Sequence, residues 1–200
     1  YFKELGLQLE HCNNVLDLAC GKSSPLLFCD KDFHSVGVDI FEPYLIESKR
    51  KGIHEDYIVS DVMNICDVIP PKSFDAVVAL DLIEHLDKPD GLKLIKIMES
   101  ISRKKVIIFT PNGFLRQEPY DDNLWQEHKS GWEVDEMKDL GFQVYGQGGL
   151  KYLRGERARI KYRPEFFWSR LSYISQKIVE KNPKYSFQLL CVNNLDVDKK

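Results

Sequence analysis

The side chains best placed to do chemistry are four aspartates, each following a short apolar, β-branched run: Asp17 in NNVLDLACG, Asp39 in HSVGVDI, Asp61 in YIVSDV and Asp81 in FDAVVALDLIEHL. Runs of this kind read as parallel strands whose carboxyl ends line one edge of a sheet, where open α/β sheets take their ligands. Asp39 stands 18 residues beyond Gly21, the separation at which an acid on the second strand accepts both hydroxyls of a ribose. Asp61 suits an adenine amino group, with the Val62 N–H facing the ring and Ile40 covering it. Ala19 and Gly21, in a sharp turn that opens on small residues, let backbone N–H groups approach a ligand closely. With Leu80 at the end of the fourth run, these residues read as an adenosine pocket.

An adenosine pocket serves nicotinamide or S-adenosylmethionine, and the turn discriminates between them. A dinucleotide turn needs glycines where the pyrophosphate presses on the backbone; the corresponding positions here are Ala19, Gly21 and Ser24, with one glycine among them. A sulfonium cofactor has no pyrophosphate, so the expected cofactor is S-adenosylmethionine.

The order VLDLACG, VGVDI, SDV and SFDAVVALDLIEHL resembles the motif series of the class I S-adenosylmethionine-dependent methyltransferases, over roughly residues 14–146. The resemblance implies a Rossmann-like, doubly wound α/β fold with seven strands, mostly parallel and with an antiparallel last strand. It adds Asp17 to the cofactor residues. It departs from the family pattern in the turn, where Asp17, Ala19, Gly21 and Ser23 stand for an acid followed by three glycines. The acceptor would face DLIEH, where His85 is the candidate general base, with Asp81 placed on the same helical face and Glu84 adjoining. A histidine that merely bonds the neighbouring loop is the competing reading. A second, partial resemblance, to RNA 3′-terminal 2′-O-methyltransferases, would make Asp81, Glu84, His85 and His128 Mg²⁺ ligands. Cofactor binding without a metal is the principal expectation.

The elements that must position these groups follow from pattern. Strands alternate with helical periods over the first two thirds, as in a doubly wound sheet. Leu94, Ile97, Met98 and Ile101 mark the buried face of a helix before the fifth strand, KKVIIFTPN. The polar stretch GFLRQEPYDDNLWQEHKSG is too long for an ordinary connection of about 4–6 residues, and it leaves a strand's carboxyl end, so it is predicted to lie over the cofactor edge. A short helix ending at Gly141 and the strand FQVYGQG follow.

Before the last strand, YSFQLLCVNN, a basic helical insertion spans residues 149–184. From Lys151 to Lys184 it holds ten Lys and Arg against three acids, a net of +7 in a chain of −3. Within it Phe167, Leu171, Ile174 and Ile178 form one helical stripe. In one reading the stripe docks the helix and the charge is solvated; in another the basic helix, starting on the cofactor face, closes over a phosphorylated or carboxylated small molecule or a nucleic acid backbone; in a third, Phe166, Phe167 and Trp168 meet a membrane surface.

Size and a 43% hydrophobic content fit one domain over residues 1–200. Five scattered cysteines without a CxxC pair argue against a disulfide framework and fit a reducing, cytoplasmic setting. Cys20 reads as a small buried apolar group. No run approaches the roughly 18 apolar residues of a membrane span, and YFKELGLQLEH has no signal pattern. The sequence opens on Tyr1, so a longer natural N-terminus that could cap the cofactor is expected. The function expected is methyl transfer to an oxygen of a small molecule, with an anionic acceptor among the expected partners. The alternatives are an RNA 2′-O-methyltransferase, against which no aromatic RNA-stacking module is recognisable, and a non-catalytic S-adenosylmethionine-binding module. Oligomeric state is not legible.

Overall fold

The computed structural model describes residues 1–30, 32–119 and 121–195. Helix α1 (Phe2–Leu9) leads into β1 (Asn14–Leu18), β2 (His34–Asp39), α2 (Glu42–Arg50), β3 (Asp56–Val59), β4 (Phe74–Leu80), α3 (Lys88–Ile101) and β5 (Ser102–Pro111). After the long polar connection come α4 (Val134–Asp139), β6 (Gln143–Leu150), α5 (Glu165–Lys181) and β7 (Ser186–Asn194). The strands form one sheet in the order β3-β2-β1-β4-β5-β7-β6. Strands β1 to β5 pair in parallel, and β7 runs antiparallel to both β5 and β6. The order reverses between β1 and β4, so the crevice at their carboxyl ends is the ligand position of a doubly wound sheet.

Strand β4 is buried along its whole length, and its alternation divides the core. Val77 and Ala79 face a layer containing Leu94, Met98 and Ile101 of α3, while Ala76, Val78 and Leu80 face Leu5 and Leu9 of α1. The five cysteines are free, and Cys20 is buried, its thiol pushed up by that burial. Among the described residues no helix is long and apolar enough to cross a membrane.

Two expectations are corrected. DLIEH does not start an α-helix. Asp81 takes a left-handed conformation at φ 57°, a 3₁₀ turn follows at Ile83–His85, and α3 begins only at Lys88. Pro89 in the first turn of α3 explains the late start, since its ring suits a helix opening and cannot donate within one.

The stripe on α5 does not dock. Ile174 and Ile178 are 58% and 57% exposed, and Phe167 and Leu171 also face outward, whereas Ser172, Ser175 and Val179 are buried. The cause lies in β6, an edge strand with unpaired backbone groups on its outer side. Gln176 accepts from the Gly149 N–H at 3.1 Å and donates to the Gly146 carbonyl at 2.8 Å, and Ser175 accepts from the Leu150 N–H at 3.0 Å. A Cβ on Gly146 would stand 2.1 Å from the Val179 carbonyl oxygen, and one on Gly149 2.2 Å from that of Ser172. Glycines on the strand and serines on the helix let the two backbones approach, and side-chain bonds blunt the sheet edge. Once the polar stripe serves the edge, the apolar stripe is left outside.

Candidate active site

The turn after β1 wraps around Asp39. Its two carboxylate oxygens accept from the Gly21 N–H at 2.9 Å and the Phe41 N–H at 2.8 Å. The acid therefore ties the turn to the start of α2, and each oxygen keeps a lone pair for a ligand. Asp39 is 6% exposed, and burial raises its pKa against the pull of those N–H groups. Gly21 sits at φ 59° with open space where a Cβ would be, the combination expected where backbone must meet a ligand. Asp61 caps the 3₁₀ turn Val62–Asp67, one oxygen accepting from the Met63 N–H at 2.9 Å.

Ala19, Gly21, Asp39, Ile40, Asp61 and Val62 line one cavity, with Leu82 and Leu86 beside them and Asn123, Trp125 and Gln126 contributed by the polar connection. Asp17 and Leu80 are not in its wall. Asp17 is buried beneath the turn, accepting a bond from Ser24 at 2.5 Å and facing His54 at 3.5 Å, so it shapes the loop from below. Leu80 belongs to the core with Val78 and Ile107, because strand alternation turns it away, and Leu82 takes the lining position.

The polar connection does cross the carboxyl edge of the strands. Asp121 pairs with Lys22 of the β1 turn and accepts from the Tyr44 hydroxyl at 3.3 Å. Asp81, His85 and Gln126 line both this cavity and a second one, of about 200 Å³, completed by Glu84, Leu115, Gln117, His128, Phe187, Gln188 and others. His85 is therefore at the junction. Its Nδ1 faces the Glu127 carbonyl at 3.0 Å and that of His128 faces the Leu115 carbonyl at 2.6 Å. A carbonyl only accepts, so each Nδ1 carries the hydrogen and each Nε2 the lone pair. Burial lowers the pKa of both rings, that of His85 to about 4, so both are neutral at physiological pH.

Glu84 is buried, accepts from the Thr110 hydroxyl at 3.0 Å, and is pushed up first by burial and then by Asp81. Asp81 is exposed to the cavity and accepts from the Gln188 amide at 3.4 Å, and its pKa also rises. Ligand atoms of Glu84, His85 and His128 lie within 4.8 Å of one another.

What carries His128 to this place was not read in the sequence. The Lys129 and Ser130 N–H groups donate to the Glu84 carbonyl at 2.8 and 3.0 Å. Trp132, fully buried against Gly91 and under the Lys88 ammonium, donates to the Ser130 hydroxyl at 3.0 Å. The available signal was the tryptophan of HKSGW, an apolar anchor closing an otherwise polar connection.

The sequence family described as "Methyltransferase domain" matches residues 16–107. No curated protein matched the chain. Among solved structures, an S-adenosylmethionine-dependent methyltransferase from Archaeoglobus fulgidus superposes with a TM-score of 0.59 at 19% identity, covering 98% of this chain and 95% of that one. The PH0226 protein from Pyrococcus horikoshii OT3 gives 0.60 at 18%, covering 97% and 87%. Magnesium protoporphyrin IX methyltransferase from Synechocystis PCC 6803, solved with bound S-adenosylmethionine, gives 0.52 at 16%, covering 96% and 77%. The motif series thus stands in register on a sheet that has the fold of solved methyltransferases, and residues 16–107, from β1 into β5, match the methyltransferase-domain family.

Proposed function

We propose that the chain, as a single domain, methylates an oxygen of a small molecule in the cavity beside His85. The observation that supports this reading most is the junction itself: His85 borders both the adenosine cavity and a second cavity of about 200 Å³, a size suited to a small acceptor. Asp39 would hold the ribose, Asp61 the adenine amino group, and Ile40 with Val62 the ring. S-adenosylmethionine supplies a methyl group on a positively charged sulfur, already activated for in-line displacement. The protein's task is then to orient the acceptor and remove its proton. The Nε2 lone pair of His85, fixed by the Glu127 carbonyl, would take the proton from the acceptor hydroxyl as its oxygen bonds to the methyl carbon and the carbon–sulfur bond breaks. Gln117, Gln126 and Gln188 offer neutral hydrogen bonds around it.

The convergence of Glu84, His85 and His128 favours a second reading, in which these residues, with Asp81 adjoining, hold a divalent cation. Both histidines have the Nδ1–carbonyl bond that fixes metal ligands. A cation would supply Lewis acidity toward an acceptor hydroxyl.

Methyl-labelled cofactor incubated with the protein and a fractionated cell extract tests the proposal. Label in a small metabolite, insensitive to chelation, supports His85 as base. Chelation that abolishes transfer, with Mg²⁺ restoring it, supports the cation. Label in RNA, or cofactor binding without transfer, refutes the small-molecule reading.

A further inference from the structure

A third cavity, of about 230 Å³, adjoins the acceptor cavity and shares Pro111, Leu115 and Phe187 with it. Its remaining wall holds Lys151, Arg154 and Lys161, together with Asn112, Phe114 and Tyr152 and no carboxylate. We propose that these three cations form a subsite for a carboxylate or phosphate on the methyl acceptor, one cavity beyond His85; this rests on the acceptor-cavity reading and names the acceptor's chemical class.

The cations are brought together by backbone. Arg154 pairs with Ile160 across an antiparallel bridge, with the Gly155 N–H bonded to the Arg159 carbonyl at 2.9 Å and the Lys161 N–H to the Leu153 carbonyl at 3.0 Å. Residues 154 and 161 thus meet although six residues separate them. Arg154 is then aimed by neutral oxygens alone: its Nε donates to the Gly148 carbonyl at 2.9 Å and the Ser172 hydroxyl at 3.1 Å, and its Nη1 to the Ala158 carbonyl at 2.7 Å. Among the described residues Nη2 has no hydrogen-bond partner. Lys151 stands 5.9 Å from the centre of the Tyr152 ring. Among the described residues none of the three cations makes an ion pair, with Glu156 of the same turn or with any other acid.

Holding three like charges around one cavity is unfavourable unless an anion completes it. Arg154 offers the N–H groups of Nη2, its Nε and Nη1 being held by protein oxygens, with the Lys151 and Lys161 ammonium groups lining the same cavity. The neighbouring cavity holds Asp81 and Glu84 with neutral histidines and glutamines and no Lys or Arg in its wall, so an acceptor with a neutral reacting end and an anionic tail fits both. Ala158, in the same turn as Glu156, lines the acceptor cavity, so the insertion reaches the reacting end as well.

The test uses the whole chain saturated with S-adenosylhomocysteine, titrated calorimetrically with inorganic phosphate and separately with succinate, which distinguishes the two anion types. Arg154 is spared because its bonds hold the insertion, and the comparison is with a Lys151→Gln, Lys161→Gln double variant. At least one anion should bind saturably to the parent and about tenfold or more weakly to the variant, while S-adenosylhomocysteine affinity stays within twofold. Absence of saturable binding, or equal binding to both proteins, overturns the subsite. The methyl-label experiment reads the acceptor class independently, so a labelled RNA would sink the small-molecule reading whatever the phosphate titration shows.

Discussion

The central crevice and the outer edge of this sheet solve opposite problems with similar materials. At the crevice between β1 and β4, backbone N–H groups are gathered around a buried acid: Asp39 accepts from Gly21 and Phe41 and retains capacity for a ligand. At the outer edge, along β6, exposed backbone is consumed: Gln176 and Ser175 of α5 occupy Gly146, Gly149 and Leu150. Glycine permits close approach in both places, to an open cavity at Gly21 and to a helix backbone at Gly146 and Gly149. One edge is kept available and the other is sealed, so substitutions should separate cofactor binding and chemistry from stability.

The largest effect is expected at the junction. His85→Gln should lower turnover on the true acceptor by about tenfold or more, short of the roughly 10²–10⁴ of a base tuned to neutral pH because burial holds this ring's pKa at about 4, with S-adenosylhomocysteine affinity within a few-fold. Calorimetry beside single-turnover kinetics reads both quantities. Turnover unchanged in the variant would reduce His85 to a loop-bonding residue.

At the sealed edge Gly146→Ala places a methyl group 2.1 Å from the Val179 carbonyl oxygen, and α5 must shift. A loss of about 1–3 kcal/mol is expected, as for overpacked sites, measured by urea unfolding. Cofactor affinity should be preserved, and its collapse would show that the two edges are coupled.

The smallest effect should come from the apolar stripe of α5. Ile174→Gln with Ile178→Gln should change stability by no more than about 0.5 kcal/mol per site, as at exposed positions. Two docked isoleucines replaced by amides would instead each cost on the order of 2–5 kcal/mol, through lost apolar burial and an unpaired buried polar group. Urea midpoints decide between the two, and a large loss would mean that the stripe is buried after all.

This contrast also explains what was legible in the sequence. Strand ends announce themselves through alternation and a terminal polar residue, so Ala19, Gly21, Asp39, Ile40, Asp61 and Val62 could be placed together, and they line one cavity. Leu80 was misplaced by the rule that served the others, because a strand's last residue faces either layer according to parity. Asp17 was assigned through resemblance, and the bonds that hold it beneath the turn come from Ser24 and His54, which no local pattern links. The insertion was misread for a different reason. A helical stripe shows which residues share a face, but not whether the core or solvent takes that face. Here the decision was made by unpaired backbone on β6, a consequence of strand order. The cationic cavity was hidden similarly: net charge was visible, but the bridge joining Arg154 to Ile160 was not.

The central claim, that the crevice beside Asp39 is the cofactor site, is tested most directly by calorimetric titration of S-adenosylmethionine into the parent protein and Asp39→Ala. Loss of charge-assisted ribose contacts should weaken binding by about one to two orders of magnitude, corresponding to roughly 1.5–3 kcal/mol. Far-ultraviolet circular dichroism should verify that the variant remains folded despite losing the bonds to Gly21 and Phe41. A folded variant with the parent's affinity would contradict the account.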